Sequence, residues 1–285
     1  MFPVTAPDAT SRRREPSTPA TTVTEPHRLL LLGGTTEARQ LAEALAGEDD
    51  LVVVTSLAGR TSSPSQAPGL RRTGGFGGAR GLVEYLRTER ISALVDATHP
   101  FAPVMRWHAE AACAATGVPR LRLERPGWSP GPGDRWTTVA SLGDAAAEIA
   151  SGSSERVFLT VGRSDLDRFV PACDGRRHWL VRSIEPPGEL PLRPAEVVCA
   201  RGPFSLEDET ALLSRERIDL LVTKNSGGDA TVAKLEAARR LGLPVLVVDR
   251  PPSPAGPAAA TVAGAIEWLH ATLGRYSRSP LGPPG

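Results

Sequence analysis

Short apolar segments alternate with helix-length segments along most of this chain, and this alternation limits the folds available to it. Residues 29–32 are four leucines that end at Gly33 and Gly34, and residues 36–46 follow with apolar side chains at helical spacing. Strands separated by helices form parallel sheets whose faces the helices cover. We therefore predict an α/β protein with parallel sheets. Further apolar runs that predict strands occupy residues 51–56, 91–95, 119–123, 157–161, 220–223 and 245–248.

A segment rich in Pro and Gly, at residues 126–133, separates two runs of this pattern. It predicts two α/β domains, at residues 27–137 and 138–276, with a ligand cleft between them. Ligands of such sheets bind beyond the carboxyl ends of the strands. Residues 1–26 have no apolar periodicity and residues 277–285 are rich in Pro and Gly, so we expect both ends to be disordered.

The composition argues against several classes of protein. Lys and Arg total 33 while Asp and Glu total 32, so the net charge is +1 and a basic nucleic-acid-binding surface is not expected. No apolar run reaches the roughly 18 residues of a membrane span. Cys113, Cys173 and Cys199 lack the spacing of a zinc site, and their odd number does not suit a disulfide framework. We expect a cytoplasmic protein without a metal; a monomer is favoured, although the sequence leaves the oligomeric state open.

The loop after the first predicted strand has features of an anion site. Gly33 and Gly34 let the backbone approach a ligand closely, and the next helix offers its first amides to an anion. Thr35 and Thr36 either contribute hydroxyls to that site or cap the helix. The complete G-x-G-x-x-G pattern of dinucleotide-binding proteins is absent. A tight turn without a ligand is therefore the alternative interpretation.

The second predicted strand ends at a position that distinguishes NADPH from NADH. Proteins that bind NAD carry an acidic residue there, which holds the ribose hydroxyls. This chain has Ser56 and Arg60 and no acid between them. Arg60 is suited to a 2′-phosphate, which favours NADPH, although an ordinary solvated arginine remains the alternative.

Two more loops of the first half carry candidate residues. Gly75 and Gly77 flank Phe76 in a run with four glycines, which predicts close approach to a large or flat ligand; a flexible surface loop is the alternative. Asp96 and His99 follow the apolar run at 91–95, and histidine titrates near neutral pH. They are the candidate catalytic residues, unless Asp96 only caps a turn.

The strongest anion-binding pattern lies in the second half. Thr223, Lys224, Asn225 and Ser226 end a predicted strand and are followed by Gly227 and a second glycine before a helix. The order differs from the Walker pattern, so kinase or ATPase chemistry is not expected. A structural salt bridge is the alternative role for the lysine.

Five motifs in this order resemble the precorrin-6A reductase family of cobalamin biosynthesis over residues 28–252. The motifs are Leu32-Gly33-Gly34-Thr35-Thr36-Glu37, Gly74-Gly75-Phe76-Gly77-Gly78, Asp96-Ala97-Thr98-His99-Pro100-Phe101-Ala102, Arg201-Gly202-Pro203-Phe204 and Thr223-Lys224-Asn225-Ser226-Gly227-Gly228. The resemblance implies two Rossmann-like domains with ligands between them. It also implies an NADPH-dependent reduction of one carbon–carbon double bond of the tetrapyrrole precorrin-6A, giving precorrin-6B.

With this resemblance, the candidate residues divide into two sets. Cofactor contacts are expected from Gly33, Gly34, Thr35, Thr36, Ser56, Arg60, Thr223, Lys224, Asn225, Ser226 and Gly227. Substrate contacts are expected from Gly75, Phe76, Gly77, His99, Phe101 and Arg163. Three alternatives stay open: reduction of the cobalt-containing substrate with NADH, a non-catalytic nucleotide-binding protein, and a sugar-nucleotide transferase.

Overall fold

A computed structural model describes residues 25–59, 68–186 and 188–274, and within these ranges it has two six-stranded sheets in which every strand pair is parallel. The predicted α/β class with parallel sheets is confirmed. The first sheet has the order β12-β5-β4-β1-β2-β3. Its strands are β1 (His27–Leu32), β2 (Leu51–Leu57), β3 (Leu70–Thr73), β4 (Ala93–Asp96), β5 (Arg120–Leu123) and β12 (Ala258–Ala259).

The second sheet has the order β6-β11-β10-β7-β8-β9. Its strands are β6 (Arg135–Val139), β7 (Arg156–Leu159), β8 (His178–Ser183), β9 (Ala195–Cys199), β10 (Leu220–Lys224) and β11 (Pro244–Val248). Its central strands are apolar on both faces because helices cover both faces.

Helices connect most of the strands. They are α1 (Thr36–Ala44), α2 (Gly78–Thr88), α3 (Pro103–Thr116), α4 (Leu142–Ser151), α5 (Leu206–Arg215), α6 (Ala233–Leu241) and α7 (Val262–Thr272), with 3-10 segments at Arg163–Ala172 and Asp229–Thr231. Four of them begin at a hydroxyl that accepts a hydrogen bond from an amide of the first turn, which satisfies a donor that the helix itself cannot pair. These caps are Thr35, Ser141, Ser205 and Thr261. No helix in the described ranges is long and apolar enough to cross a lipid bilayer.

The leucine run of β1 supplies both cores of the first sheet, because successive side chains of a strand point to opposite faces. Leu29 and Leu31 pack in the cluster that contains residues of α1 and α7. Leu30 and Leu32 pack in the opposite cluster, with residues of α2 and α3. All four side chains are at most 2% exposed, so β1 is fixed at the centre of its sheet.

The last part of the chain returns to the first sheet, which differs from the predicted domain boundaries. The sequence pattern assigned 138–276 to the second domain. Instead, Ala258 and Ala259 pair with β5, and Ala265 and Leu269 of α7 lie in the same core cluster as Leu29. The physical reason is that one face of the first sheet needs a second covering helix, and the apolar stripe of α7 supplies it.

Two further differences concern edge strands of the sheets, and the predicted disorder at the chain ends is not tested. β3 was not predicted, because its residues are largely exposed and polar and lack apolar alternation. β6 spans residues 135–139, so the predicted boundary at 137 cuts through a strand of the second sheet. The expected disorder of 1–26 and of 277–285 falls on residues that lie almost entirely outside the described ranges, as does Arg60.

Candidate functional site

The carboxyl ends of the two sheets face each other, and one arginine joins them. Arg125 lies just after β5 of the first sheet. Its Nη1 donates to Oε2 of Glu37 at 2.6 Å, beside the end of β1, and its Nε donates to the carbonyl of Ser226 at 2.9 Å, after β10 of the second sheet. The loops after β1 and β10 therefore lie on either side of Arg125, between the sheets.

The loop after β1 has an open helix N-terminus. Thr35 caps α1 by accepting from the amide of Ala38 at 3.2 Å, and its hydroxyl donates to the carbonyl of Ala97 at 2.9 Å. Thr36 is the first residue of α1 and is exposed. Gly34 has a φ of +112°, and no atom of the described residues lies within 4 Å of the place that a Cβ would take. The helix terminus thus has room for an anion.

The loop after β3 is held in place by Arg72. Its guanidinium donates to the carbonyls of Gly74 and Gly75 at 2.7 and 2.6 Å, and to Oγ of Ser56 at 3.3 Å. It also lies 3.7 Å from the centre of the Phe76 ring, a cation–π distance. Ser56 and the glycine loop are thereby brought together at the ends of neighbouring strands.

The glycines of this loop lie beside open space. Cβ atoms added at Gly74, Gly75 or Gly77 would meet no atom of the described residues within 4 Å. The Phe76 ring packs edge-on against Tyr85 of α2, with centroids 5.2 Å apart. The backbone of the loop, more than the aromatic ring, is therefore available to a ligand.

Asp96 has a structural role in the loop after β4. It is fully buried, and its Oδ1 accepts from the amide of Thr98 at 3.1 Å and from the hydroxyl of Thr98 at 2.7 Å. These bonds close a turn directly after the strand, which is the alternative that the sequence left open for this residue. The turn projects the following residues toward the second sheet.

His99 follows that turn, and its ring lies in a positive environment. Its Nδ1 accepts from the amide of Phe101 at 3.2 Å, which leaves the proton of the neutral ring on Nε2. Desolvation, and then the positive charges of Lys224 and Arg125, lower the pKa of His99 well below 6.5. The side chain still reaches solvent, so water limits the size of this effect. At neutral pH the ring is uncharged.

The loop after β10 meets the loop after β4 at Lys224. Its Nζ lies 5.3 Å from the centre of the Phe101 ring and forms an ion pair with Asp165. Lys224 is 13% exposed and Asp165 is 27% exposed. Thr223, one residue earlier, is buried. Lys224 thus lies where a loop of each sheet meets, and Asp165 partly balances its charge.

Asn225 is occupied by contacts to the chain between the two sheets. Its Oδ1 accepts from the amide of Trp128 at 2.7 Å, and its Nδ2 donates to the carbonyl of Trp128 at 3.1 Å. The carbonyl of Ser226 accepts from Arg125 at 2.9 Å and from Arg250 at 3.1 Å. Both residues therefore fasten residues 125–128, the linker, to the second sheet.

The two glycines of this loop also serve the linker. A Cβ at Gly227, where φ is +69°, would overlap the carbonyl of Pro126. A Cβ at Gly228 would lie 2.7 Å from Cδ of Arg125. At Gly227 and Gly228 the space beside the backbone is thus occupied by Pro126 and Arg125, whereas the space beside Gly34 is open.

Arg163 lies at the beginning of the 3-10 segment that carries Asp165. Its Nη1 is 3.8 Å from Oε2 of Glu185, and its side chain is 45% exposed. Through Asp165, this segment is connected to Lys224. A substrate contact by Arg163 therefore stays a prediction.

The sequence analysis did not find the buried charged residues beneath these loops. Arg106 of α3 and Glu124 after β5 form an ion pair at 3.1 Å, and their side chains are 1% and 12% exposed. Arg250 pairs with Glu124 at 2.9 Å. A single charged residue produces no periodic pattern in a sequence. The one available signal was the position of Arg106, which lies at helical spacing from the buried Ala109 and Ala112 of α3.

Comparison with known proteins shows the family of this chain. The profile of the family described as precorrin-6x reductase CbiJ/CobK matches residues 28–270. A precorrin-6A reductase from Rhodococcus erythropolis is 50% identical over 246 residues, which are 85% of this chain and 97% of that protein. A cobalt-precorrin-6A reductase from Priestia megaterium is 31% identical over 78% of this chain and 90% of its own length.

A solved structure described as CobK precorrin-6A reductase has the same fold. It superposes with a TM-score of 0.80 at 48% sequence identity, and the match covers 86% of this chain and 97% of that chain. Together with the family profile, which spans both sheets and the returning α7, this likeness extends over the whole described fold. The chain therefore belongs to the precorrin-6x reductase CbiJ/CobK family.

Proposed function

We propose that this protein reduces one carbon–carbon double bond of precorrin-6A to give precorrin-6B, with NADPH as the electron donor and in the cytoplasm. The observation that carries the proposal is the 50% identity to a precorrin-6A reductase along 97% of that protein's length. Identity to the cobalt-precorrin-6A reductase is 31%. This difference favours the metal-free substrate over the cobalt-containing one.

The edge of the first sheet is the proposed cofactor site. The amides at the start of α1 and the open space at Gly34 suit a diphosphate. Residues 51–59 include no acidic side chain that would repel a 2′-phosphate. Arg72 already brings a cation to within 3.3 Å of Ser56, and Arg60 is a second candidate, so positive charge at this strand end supports NADPH over NADH.

The loops after β4 and β10 are the proposed substrate side. A corrin precursor carries several carboxylates, and Lys224 and Arg163 supply cations for them. Phe101 contributes an apolar ring 5.3 Å from Nζ of Lys224. The bound cofactor supplies the hydride, while these side chains orient the macrocycle and keep its reacting face toward the first sheet.

His99 is proposed to act as a neutral hydrogen-bond donor. Because its pKa is lowered, the imidazolium form is scarce at neutral pH, and a cationic acid is not available there. With Nδ1 accepting from Phe101, Nε2–H is the group that can donate to a substrate carboxylate or ring substituent. Asp96 supports this role by closing the turn before it.

An anaerobic assay with precorrin-6A tests the proposal. The loss of NADPH absorbance and the change in the macrocycle spectrum are followed together, with NADH and the cobalt-containing substrate as parallel arms. We expect turnover with NADPH and precorrin-6A, and weaker binding of NADPH but not of NADH in Arg60→Glu. Equal affinity of the wild type for both cofactors would remove the argument for NADPH. Absence of any turnover would remove the reductase assignment.

A further inference from the structure

Glu124 holds three arginines that come from different parts of the chain. Its Oε2 is 3.1 Å from Nη1 of Arg106 and 2.9 Å from Nε of Arg122, and its Oε1 is 2.9 Å from Nη1 of Arg250. The carboxylate is only 12% exposed. A single buried carboxylate thus contacts cations from α3, from β5 and from the residues after β11.

The arginines reach from this anion to the backbone of both candidate loops. Nη2 of Arg106 donates to the carbonyl of Thr98 at 3.5 Å, in the loop that carries His99. Nε and Nη2 of Arg250 donate to the carbonyls of Asn225 and Ser226 at 2.8 and 3.1 Å. We name the three residues Arg106, Glu124 and Arg250 the Glu124 bridge.

The Glu124 bridge is a continuous connection from the first sheet to the second. Nη1 of Arg250 also donates to the carbonyl of Arg125 at 2.9 Å, where the linker begins. One guanidinium therefore contacts a carboxylate and a carbonyl of the first half, and two carbonyls of the second half. Only a planar group with several fixed donors makes all four contacts at once, and a lysine ammonium cannot reproduce them.

We propose that Arg250 is a positioning residue that sets the distance between the His99 loop and the Lys224 loop. It contacts neither proposed ligand, and it acts through the backbone carbonyls that it holds. The proposal rests on the proposed function for its kinetic consequence, because a reaction between two bound rings is sensitive to their spacing. The geometric consequence is independent of that function.

The geometric test measures the distance between the two sheets. Spin labels are attached at Ala44→Cys on α1 and Ala211→Cys on α5, with Cys173 and Cys199 replaced, and pulsed electron resonance gives the distance distribution. We expect a single narrow distance in the parent protein and a shifted or clearly broader one in Arg250→Lys. An unchanged distribution in that variant would overturn the inference, whatever the substrate of the enzyme is.

The kinetic test separates positioning from plain stability. In Arg250→Lys we expect kcat to fall roughly ten- to hundredfold while the KM for NADPH changes little, because the cofactor site that we propose lies at the first sheet. Arg239→Lys is the matched control, since Arg239 forms a two-pronged ion pair with Asp134 at 2.8 and 2.9 Å within the second half. It should keep the wild-type kcat and distance distribution.

The outcomes are distinct for the two proposals. A wild type that does not turn over precorrin-6A removes the proposed function and leaves the distance measurement to judge Arg250. A wild type that is active, with Arg250→Lys showing a normal kcat and only a lower melting temperature, overturns the positioning role. Equal losses of kcat in Arg250→Lys and Arg239→Lys overturn it as well.

Discussion

Replacement of Gly227 by alanine tests whether the glycines after β10 are needed for the close approach of the linker backbone. Gly227 has a φ of +69°, and a residue with a Cβ is destabilised there by about 1–2 kcal/mol. Alanine also lowers the conformational entropy of the unfolded chain, which offsets about 0.4–1 kcal/mol of that destabilisation. The new Cβ would also overlap the carbonyl of Pro126 and lie 2.8 Å from Nη2 of Arg250. The linker must therefore move away.

That movement breaks the two hydrogen bonds between Asn225 and Trp128, each worth about 0.5–1.5 kcal/mol. We expect Gly227→Ala to lower the free energy of unfolding by about 2–4 kcal/mol. Gly242→Ala is the control, because Gly242 has a φ of +64° and no described atom within 4 Å of the added Cβ. It should lose at most about 1.6 kcal/mol.

Urea unfolding of the wild type and both variants, followed by tryptophan fluorescence and circular dichroism, gives the three free energies. The NADPH dissociation constant is measured on the same samples. Equal destabilisation in Gly227→Ala and Gly242→Ala would refute the reasoning. So would a variant at Gly227 that keeps its stability but no longer binds NADPH, because the glycine would then serve a ligand.

Three further predictions concern charged side chains. Lys224→Ala should lower kcat/KM roughly ten- to hundredfold with a nearly unchanged melting temperature. Asp165→Asn removes the same ion pair and should leave kcat/KM close to the wild-type value. Similar kinetics in both variants would show that the role of Lys224 is structural. Lys234 is fully buried, and desolvation lowers its pKa to about 7. Lys234→Met should therefore stabilise the protein most below pH 7, by at most about 5 kcal/mol, and the gain should shrink as the pH rises from 7 toward 10.5. A gain that does not vary with pH would contradict this prediction. Because the pKa of His99 is lowered in the folded protein, the unfolded chain binds a proton at this residue at a higher pH than the folded protein does. The wild type should therefore lose stability relative to His99→Gln as the pH falls below 6.5. Parallel plots of unfolding free energy against pH for the two proteins would refute this prediction.

The sequence pattern was sufficient for the central strands and insufficient for both edges of the first sheet. β1 and β4 are buried on both faces, so their apolar runs are continuous and easily found. β3 is a largely exposed edge strand with two arginines, and β12 has only two residues. Neither contains enough apolar side chains for periodicity to be visible, and both form because the neighbouring strand offers unpaired backbone groups.

The loops of the candidate site could be identified from the sequence, but the contacts that each loop makes could not. A glycine that follows a strand indicates a place where other atoms can approach the backbone closely. The sequence does not tell whether those atoms belong to a ligand or to another part of the chain. Gly34 turned out to face open space and Gly227 to face Pro126. In the same way, the partner of a buried charge such as Glu124 lies up to 126 residues away in the chain, beyond the reach of any local pattern.

The return of β12 and α7 to the first sheet has a consequence for how the protein is made. As the chain leaves the ribosome, most of the first sheet emerges before the second, yet α7, which covers Leu29 and Leu31 together with α1, is the last described element to appear. The second sheet, from β6 to β11, is contiguous and can close as it is synthesised. The half that is translated first is thus completed last, and until then one apolar face of it depends on protection from aggregation in the crowded cell.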